Sequence, residues 1–139
     1  MKVINKHLAG CIIYDQDGKI LLLHRNTPKC KQWEIPGGKV EPGEAIEDAA
    51  IREAKEELGV DIRIVGMLGS DIFAEAKETL NFSWFMAAIK SGSPKIMETD
   101  IFDDLRYFSI RELNHDLTEL SANTKNFLKF SISKQNITP

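Results

Sequence analysis

The chain has 139 residues, of which 42% are hydrophobic and 28% are charged, and its formal net charge is −3 at pH 7. This length and composition predict a single domain over residues 1–139, with enough apolar side chains for a two- or three-layer core. The slightly acidic balance argues against a nucleic-acid polymer or an anionic membrane as partner. It does not exclude a nucleotide substrate, because a bound metal ion can supply positive charge.

Cysteine usage and apolar run length favour a cytoplasmic protein. Cys11 lies in an apolar run and is expected in the core, whereas Cys30 lies in a polar loop, and the two have no metal-ligand spacing. The first residues lack the apolar segment of a signal peptide, and the longest apolar-rich stretch, 82–89, is too short to span a bilayer.

The N-terminal elements are predicted to form a β-hairpin. Apolar runs at 8–14 and 19–25 are typical of strands, and the intervening Asp15-Gln16-Asp17-Gly18 is typical of a turn. After a polar loop, residues 33–35 form a short predicted strand that enters a tight turn at Gly37 and Gly38, directly after Pro36.

One central helix and one C-terminal helix are predicted. The central helix covers about 45–58, with an apolar stripe at Ile46, Ala50 and Ala54, and it ends at Gly59. Strands are predicted at 62–68, 71–74, 79–89 and 105–110, and the second helix at 118–132. This order of elements favours an α/β sandwich with a mixed β-sheet.

The strongest pattern in the chain is the segment 38–60, which reads GKVEPGEAIEDAAIREAKEELGV. It fits G-x5-E-x7-R-E-U-x-E-E-x-G-U, where U is apolar. With each of the seven fixed positions filled by chance about one time in fifteen, a given window would match roughly once in 10^8 trials.

Three glutamates of this segment share one face of the predicted helix. Glu53, Glu56 and Glu57 lie at i, i+3 and i+4, a spacing that gathers their carboxylates and makes them repel. The alternative is an ordinary solvated acidic face. Convergent carboxylates suit Mg2+ or Mn2+, hard cations that often also hold substrate phosphates, and we favour the metal interpretation.

The segment resembles the Nudix box, the signature of Nudix hydrolases. The resemblance implies an α/β/α sandwich with a mixed β-sheet, and hydrolysis of a nucleoside diphosphate linked to another group. It implies that Arg52 orients the metal-binding carboxylates and that Glu44 holds the loop to the helix. The carbonyl of Gly38 is a further candidate metal ligand, because a glycine lets the backbone approach an ion closely.

Three candidate site residues lie outside the box. Glu98 occupies the loop where MutT-like members of the family carry a functional glutamate, but a solvated loop acid is the alternative. Arg25 ends a strand where many members place a phosphate-contacting arginine, or it is an ordinary surface residue. Ser121-Ala122-Asn123 is similar to the P-A-N of MutT-type 8-oxo-dGTP diphosphatases, whose asparagine reads the purine edge; a helix cap or exposed turn is the alternative for Asn123.

The resemblance favours a small nucleotide substrate of the nucleoside triphosphate class, with 8-oxo-dGTP as a candidate. ADP-ribose and dinucleotide enzymes of the family carry a proline or a tyrosine downstream of the box. Here no proline lies between Pro42 and Pro94, and no tyrosine between Tyr14 and Tyr107. Those enzymes stay open as an alternative, as does a catalytically idle sensor of the same fold. Isomerase-type or RNA-decapping members would usually carry extra segments. We expect a monomer or a homodimer.

Overall fold

The computed structural model describes residues 4–115 and 119–137, with side chains up to 134. It contains seven strands and three helices within those residues: β1 Lys6–Ile13, β2 Ile20–Thr27, β3 Cys30–Glu34, β4 Gly37–Lys39, α1 Ile46–Leu58, β5 Asp61–Glu75, β6 Glu78–Ser91, β7 Phe102–Phe108, α2 Ile110–His115 and α3 Ala122–Ile137.

The strands form two sheets. A four-stranded sheet has the order β4-β1-β6-β5, and it is mixed because β1 runs parallel to β6 while the other pairs are antiparallel. A three-stranded antiparallel sheet has the order β3-β2-β7. The predicted α/β class with a mixed sheet is confirmed, although the strands divide between two sheets.

The predicted hairpin of the first two strands is wrong. The turn forms, with Asp15 Oδ1 accepting the amides of Asp17 and Lys19 at 2.8 and 2.9 Å. The strands meet only at one isolated bridge, between Tyr14 and Ile20, and then enter different sheets. Each strand contains an unbroken buried run, residues 9–13 in β1 and 20–23 in β2, and such runs do not reveal their neighbour in a sheet.

Alternate residues of β1 and β2 face opposite sides of the sheets. Cys11 and Leu21 pack in a cluster with Ala54, Leu58 and Val60, which belong to α1 and the turn after it. On the opposite side, a second cluster gathers apolar residues of β1, β2, α2 and α3, namely Ile12, Ile20, Leu22, Leu113, Phe127 and Leu128. The helices therefore cover both sides, as a sandwich of α/β/α type requires.

The ends of the helices follow local capping chemistry. Gly59 closes α1 in the left-handed region, at φ 70°, where an L side chain would be strained. The short α2 was not predicted, yet Ser109 and Glu112 form a capping box, each side chain accepting the other's amide at 3.0 and 2.9 Å. This box also explains why β7 ends at Phe108, two residues before the predicted strand end.

The C-terminal helix begins later and ends later than predicted. Its predicted first residue, Thr118, lies outside the described residues, and Leu120 forms a bridge with Trp33 before the helix starts. Ser121 caps α3, because its Oγ accepts the amide of Thr124 at 3.1 Å. The helix then runs to Ile137, beyond the predicted end at 132.

None of the helices in the described part of the chain is long and apolar enough to cross a membrane.

Candidate functional site

The box carboxylates lie on the face of α1 that meets the Gly37–Lys39 strand. Arg52 is the centre of their hydrogen-bond network. Its Nε and Nη2 donate to the two carboxylate oxygens of Glu44 at 2.9 and 3.0 Å, and Nη2 also donates to the carbonyl of Lys39 at 2.9 Å. Its Nη1 donates to Glu53 at 2.9 Å and to Glu56 at 3.1 Å.

Arg52 thus contacts Glu44, Glu53 and Glu56, and its role in orienting metal-binding carboxylates stays a prediction. A guanidinium presents donors in a planar fork, so one side chain fixes several carboxylates at once. Hydrogen bonds from Arg52, and then from the Glu41 amide, hold the pKa of Glu44 below its usual range. Glu44 therefore keeps its charge, and with it the ion pair to Arg52, to a lower pH than an ordinary glutamate would.

Glu57 is the buried carboxylate of the site. Its side chain is directed at the start of β4, where Oε1 accepts the amide of Gly37 at 2.8 Å. Burial raises its pKa well above the usual value, against the effect of that hydrogen bond, and the charges of Glu53, Glu98 and Glu34 raise it further. A buried anion facing other anions is a costly arrangement that a cation would relieve.

Glu53 lies directly against Gly38. A Cβ placed on Gly38 would stand only 2.5 Å from the carboxyl carbon of Glu53, so only glycine admits the carboxylate here without displacement. Burial raises the pKa of Glu53, the hydrogen bond from Arg52 opposes that rise, and the charges of Glu56 and Glu98 add to it. Gly38 and Glu53 are thus neighbours, whereas Glu56 is half exposed and is held only by Arg52 among the described residues.

The structure brings Glu98 to the box carboxylates from a distant loop. The Met97 amide donates to the Glu57 carbonyl at 3.2 Å, and the Lys95 amide donates to the Leu58 carbonyl at 3.0 Å. These bonds hold the loop against the end of α1, where the charge of Glu98 contributes to the raised pKa values of Glu53 and Glu57. Glu98 is therefore not an isolated acid of a solvated loop.

A cavity of about 230 Å³ opens beside Gly37 and Gly38 and contains both predicted substrate residues. Arg25 and Asn123 line it together with polar, apolar and glycine residues: Leu8, Gln32, Glu34, Ile35, Gly37, Gly38, Phe73, Glu75, Leu80, Phe82 and Ser121. Gly37 and Gly38, which begin β4 rather than form the tight turn predicted for them, therefore border both the box and the cavity.

Arg25 is not an isolated surface residue, because Glu34 holds it. Its Nε and Nη2 donate to the Glu34 carboxylate at 2.7 and 3.2 Å, and its guanidinium lies 5.2 Å from the centre of the Phe102 ring. Within the described residues the recorded hydrogen bonds of Arg25 leave Nη1 available for an anion. Sequence reasoning missed Glu34, although it shares a strand face with Gln32, the cross-strand partner of Arg25.

Asn123 is neither a helix cap nor an exposed residue. It is 8% exposed, in the first turn of α3, and Ser121 supplies the cap. Its Oδ1 accepts the indole N–H of the buried Trp84 at 2.9 Å. Sequence reasoning also missed Trp84, and a contact between residues 39 positions apart leaves no local signal.

The oxygen ligands that the glutamates supply fit a hard divalent cation, although their carboxylates here accept hydrogen bonds from the protein. Among the described side chains, no group of three or more His, Cys, Asp or Glu is arranged as a ready-made metal site. Arg52 and the Gly37 amide hold the carboxylate oxygens instead. The carboxylates of Glu53, Glu56 and Glu57 repel one another and supply oxygen ligands of the kind that Mg2+ or Mn2+ prefers.

Comparison with known proteins agrees with this geometry. Residues 6–129 match the NUDIX domain family. The chain is 44% identical over 54 residues to the CTP pyrophosphohydrolase of Escherichia coli (strain K12), covering 37% of this chain and 40% of that protein. It is 38% identical over 61 residues to a putative 8-oxo-dGTP diphosphatase of Bacillus subtilis (strain 168), covering 44% and 40%. Each match spans less than half of the relative's length.

Among solved structures, a MutT NUDIX hydrolase from Burkholderia pseudomallei superposes with a TM-score of 0.78 at 30% sequence identity, covering 89% of this chain and 95% of that one. The family match extends over most of the chain, including the box, the strands β1 to β7 and the start of α3. The chain therefore belongs to the Nudix hydrolase family.

Proposed function

We propose that this protein is a metal-dependent pyrophosphohydrolase that cleaves a nucleoside triphosphate to a monophosphate and pyrophosphate. One observation carries the proposal: the buried Glu57 accepts the Gly37 amide and Glu53 lies against Gly38, so both carboxylates border the two glycines that line the cavity. Anionic side chains concentrated beside a cavity are suited to gathering cations around polyphosphate.

The metal ligands in this proposal are the carboxylates of Glu53, Glu56 and Glu57 and the carbonyl of Gly38. A divalent cation bound there supplies positive charge to the phosphate oxygens and acidifies a water molecule. Phosphoryl transfer depends mainly on positioning and charge stabilisation, so the protein's own contribution is to hold these groups in place. Arg52 does so for Glu53 and Glu56 through its Nη1 donor.

Glu98 is the proposed general base. Its loop is held to the end of α1 by two backbone hydrogen bonds. The negative charge of its carboxylate contributes to the raised pKa values of Glu53 and Glu57. From that position it can accept a proton from the attacking water. Glu57 is the less suitable base, because one of its oxygens already accepts the Gly37 amide.

The cavity residues supply substrate recognition in this proposal. Arg25, fixed by Glu34, directs its remaining Nη1 donor to a phosphate oxygen. Asn123 contacts the base, and 8-oxo-dGTP is the first oxidised purine to test. The relatives named for CTP, for 8-oxo-dGTP and for ADP-ribose show that several substrates occur among similar proteins.

A substrate panel with Mg2+ tests the proposal. The panel contains the four deoxynucleoside triphosphates, 8-oxo-dGTP, ADP-ribose and a dinucleoside polyphosphate, each scored for release of phosphate and of pyrophosphate. We expect pyrophosphate from triphosphates and loss of activity with excess chelator. Turnover of ADP-ribose or the dinucleotide alone would favour those alternatives, and binding of nucleotides without any turnover would favour a sensor.

An Asn123→Ala variant tests the base contact. We expect it to reduce discrimination between bases, because a base edge without its partner loses about 1–3 kcal/mol. Hydrolysis of poorly matched nucleotides should be almost unchanged, since the carboxylates are untouched. Equal ratios of kcat/KM for 8-oxo-dGTP, dGTP, dATP and dCTP in both forms would remove Asn123 from substrate recognition.

A further inference from the structure

The indole of Trp84 fixes the direction in which the Asn123 amide faces. Trp84 is fully buried in β6, and its ring packs against Phe127 and Phe130, with ring centroids 5.4 Å apart in both cases. An indole N–H can only donate a hydrogen bond, and a buried donor without a partner is costly. Its recorded partner is Asn123 Oδ1, at 2.9 Å.

The oxygen and nitrogen of the amide can therefore be distinguished by chemistry alone. If the amide were reversed, its NH2 group would face the indole N–H, donor against donor. The backbone of Asn123 is also held, because the Trp33 carbonyl accepts the Ser121 amide at 3.0 Å and the Thr124 hydroxyl at 3.3 Å. Both the backbone around Asn123 and the oxygen at the end of its side chain are therefore held in place.

The amide nitrogen is the end of Asn123 that remains for a ligand. Asn123 lines the cavity, whereas Trp84 is fully buried and does not, so the amide oxygen is directed at a core residue rather than at the cavity. Within the described residues, Asn123 Nδ2 makes no hydrogen bond, although the residue is only 8% exposed. Asn123 thus has an unused donor on the cavity side.

We infer that Trp84 is a positioning residue that holds the amide oxygen of Asn123, so that Asn123 offers the base only its N–H donors. The site therefore selects nucleotides whose base presents a carbonyl oxygen. This inference rests on the proposed function and specifies its substrate class. Guanine and hypoxanthine present O6, and uracil and thymine present O4, whereas adenine and cytosine present an amino donor at the corresponding position. An asparagine that reads adenine must use its oxygen as an acceptor, and here that oxygen is directed at Trp84.

The test compares dITP with dATP, which differ in having a carbonyl or an amino group at the purine 6-position, with the accompanying N1 proton. We expect wild-type protein to prefer dITP at least tenfold in kcat/KM, mainly through KM. In Trp84→Phe the ring remains but the donor is lost, so the amide can reverse and the preference should fall towards unity. Phe127→Leu is the matched control, because it disturbs the same aromatic cluster while retaining the indole donor.

Asn123→Asp keeps the inference falsifiable if Trp84→Phe does not fold. A carboxylate still accepts the indole N–H but presents a second acceptor to the cavity. The preference should therefore shift towards dATP by tenfold or more. A dITP preference that survives both Trp84→Phe and Asn123→Asp would overturn the inference, as would a preference lost equally in Phe127→Leu.

An assay without turnover separates this inference from the proposed function. The chain has two tryptophans, so two indole N–H signals are expected by NMR, and Trp84→Phe identifies one of them. Asn123→Ala should accelerate exchange of that proton with water by tenfold or more, and Asn123→Asp should not. Unchanged exchange in Asn123→Ala would overturn the inference even if no nucleotide is hydrolysed, whereas accelerated exchange without any hydrolysis would count against the proposed function alone.

Discussion

Replacing Gly38 by alanine should lower catalytic activity strongly while changing the stability of the fold only a little. The new Cβ would stand 2.5–2.7 Å from the carboxyl atoms of Glu53, whereas ordinary contacts begin near 3.4 Å. The carboxylate must therefore move by about 0.7–0.9 Å, and because it ends a flexible side chain, we expect a loss of at most about 1 kcal/mol in the free energy of unfolding. A shift of this size at a reacting centre lowers kcat by about 100-fold.

The neighbouring Gly37 provides the matched control. A Cβ on Gly37 would stand 2.5 Å from the Ala9 carbonyl oxygen and 2.6 Å from the Gly10 Cα, both of which are backbone atoms of β1. Gly37→Ala should therefore separate β1 from β4 and lower the free energy of unfolding by about 1–3 kcal/mol. Urea unfolding and steady-state kinetics of both variants check the prediction. A Gly38→Ala variant with wild-type kcat, or with the larger stability loss of the two, would refute the reasoning.

Three further predictions follow from local contacts. Arg52→Lys should lower kcat at least tenfold in the same assay, because one ammonium cannot replace the fork that holds Glu44 and Glu53; wild-type kcat would contradict this. Ala76 lies at φ 55°, so Ala76→Gly should raise the free energy of unfolding by about 0.5–1 kcal/mol; a lower midpoint in thermal unfolding would contradict it. Burial, followed by the charge of Glu57, raises the pKa of Cys11 to about 12, so at pH 8 roughly one Cys11 in ten thousand is a thiolate. A thiol reagent should therefore label only the other of the two cysteines until the protein unfolds.

The raised pKa of the Cys11 thiol also sets the sign of its effect on stability. Below the ordinary pKa of 9.0 both folded and unfolded chains hold the proton, and the thiol has no effect. Between about pH 9 and pH 12 the unfolded chain loses the proton while the folded chain keeps it, so stability should fall as pH rises. A Cys11→Ala variant should lack that part of the pH dependence, and an unchanged slope would argue against the raised pKa.

Local patterns in the sequence were sufficient to predict α1 and the face that carries its three glutamates. The spacing of Glu53, Glu56 and Glu57 gave the shared face, and Gly59 gave the helix end, because both depend on positions within one helix. Other local signals were present but not used. The Ser109–Glu112 capping box marks the start of α2, which sequence reasoning assigned to the end of a strand.

Contacts between distant segments could not be predicted in the same way. The first two strands were expected to pair because they are adjacent in the chain, yet β1 finds β6 in parallel across about seventy residues. The bond between Trp84 and Asn123 depends on how α3 packs against β6, whereas that between Arg25 and Glu34 depends only on the register of the neighbouring strands β2 and β3. A pattern within one segment therefore identified the candidate residues, whereas their partners required the tertiary structure.

Turnover by a Glu57→Gln variant tests the central claim most directly. The amide oxygen can still accept the Gly37 amide, so the fold should persist, and unfolding free energy without metal should rise slightly because the buried charge is gone. Pyrophosphate release with saturating Mg2+ and the best triphosphate should nearly disappear, because the variant lacks a charged metal ligand. A folded Glu57→Gln protein with near-wild-type kcat would contradict the assignment of this carboxylate to the catalytic metal site.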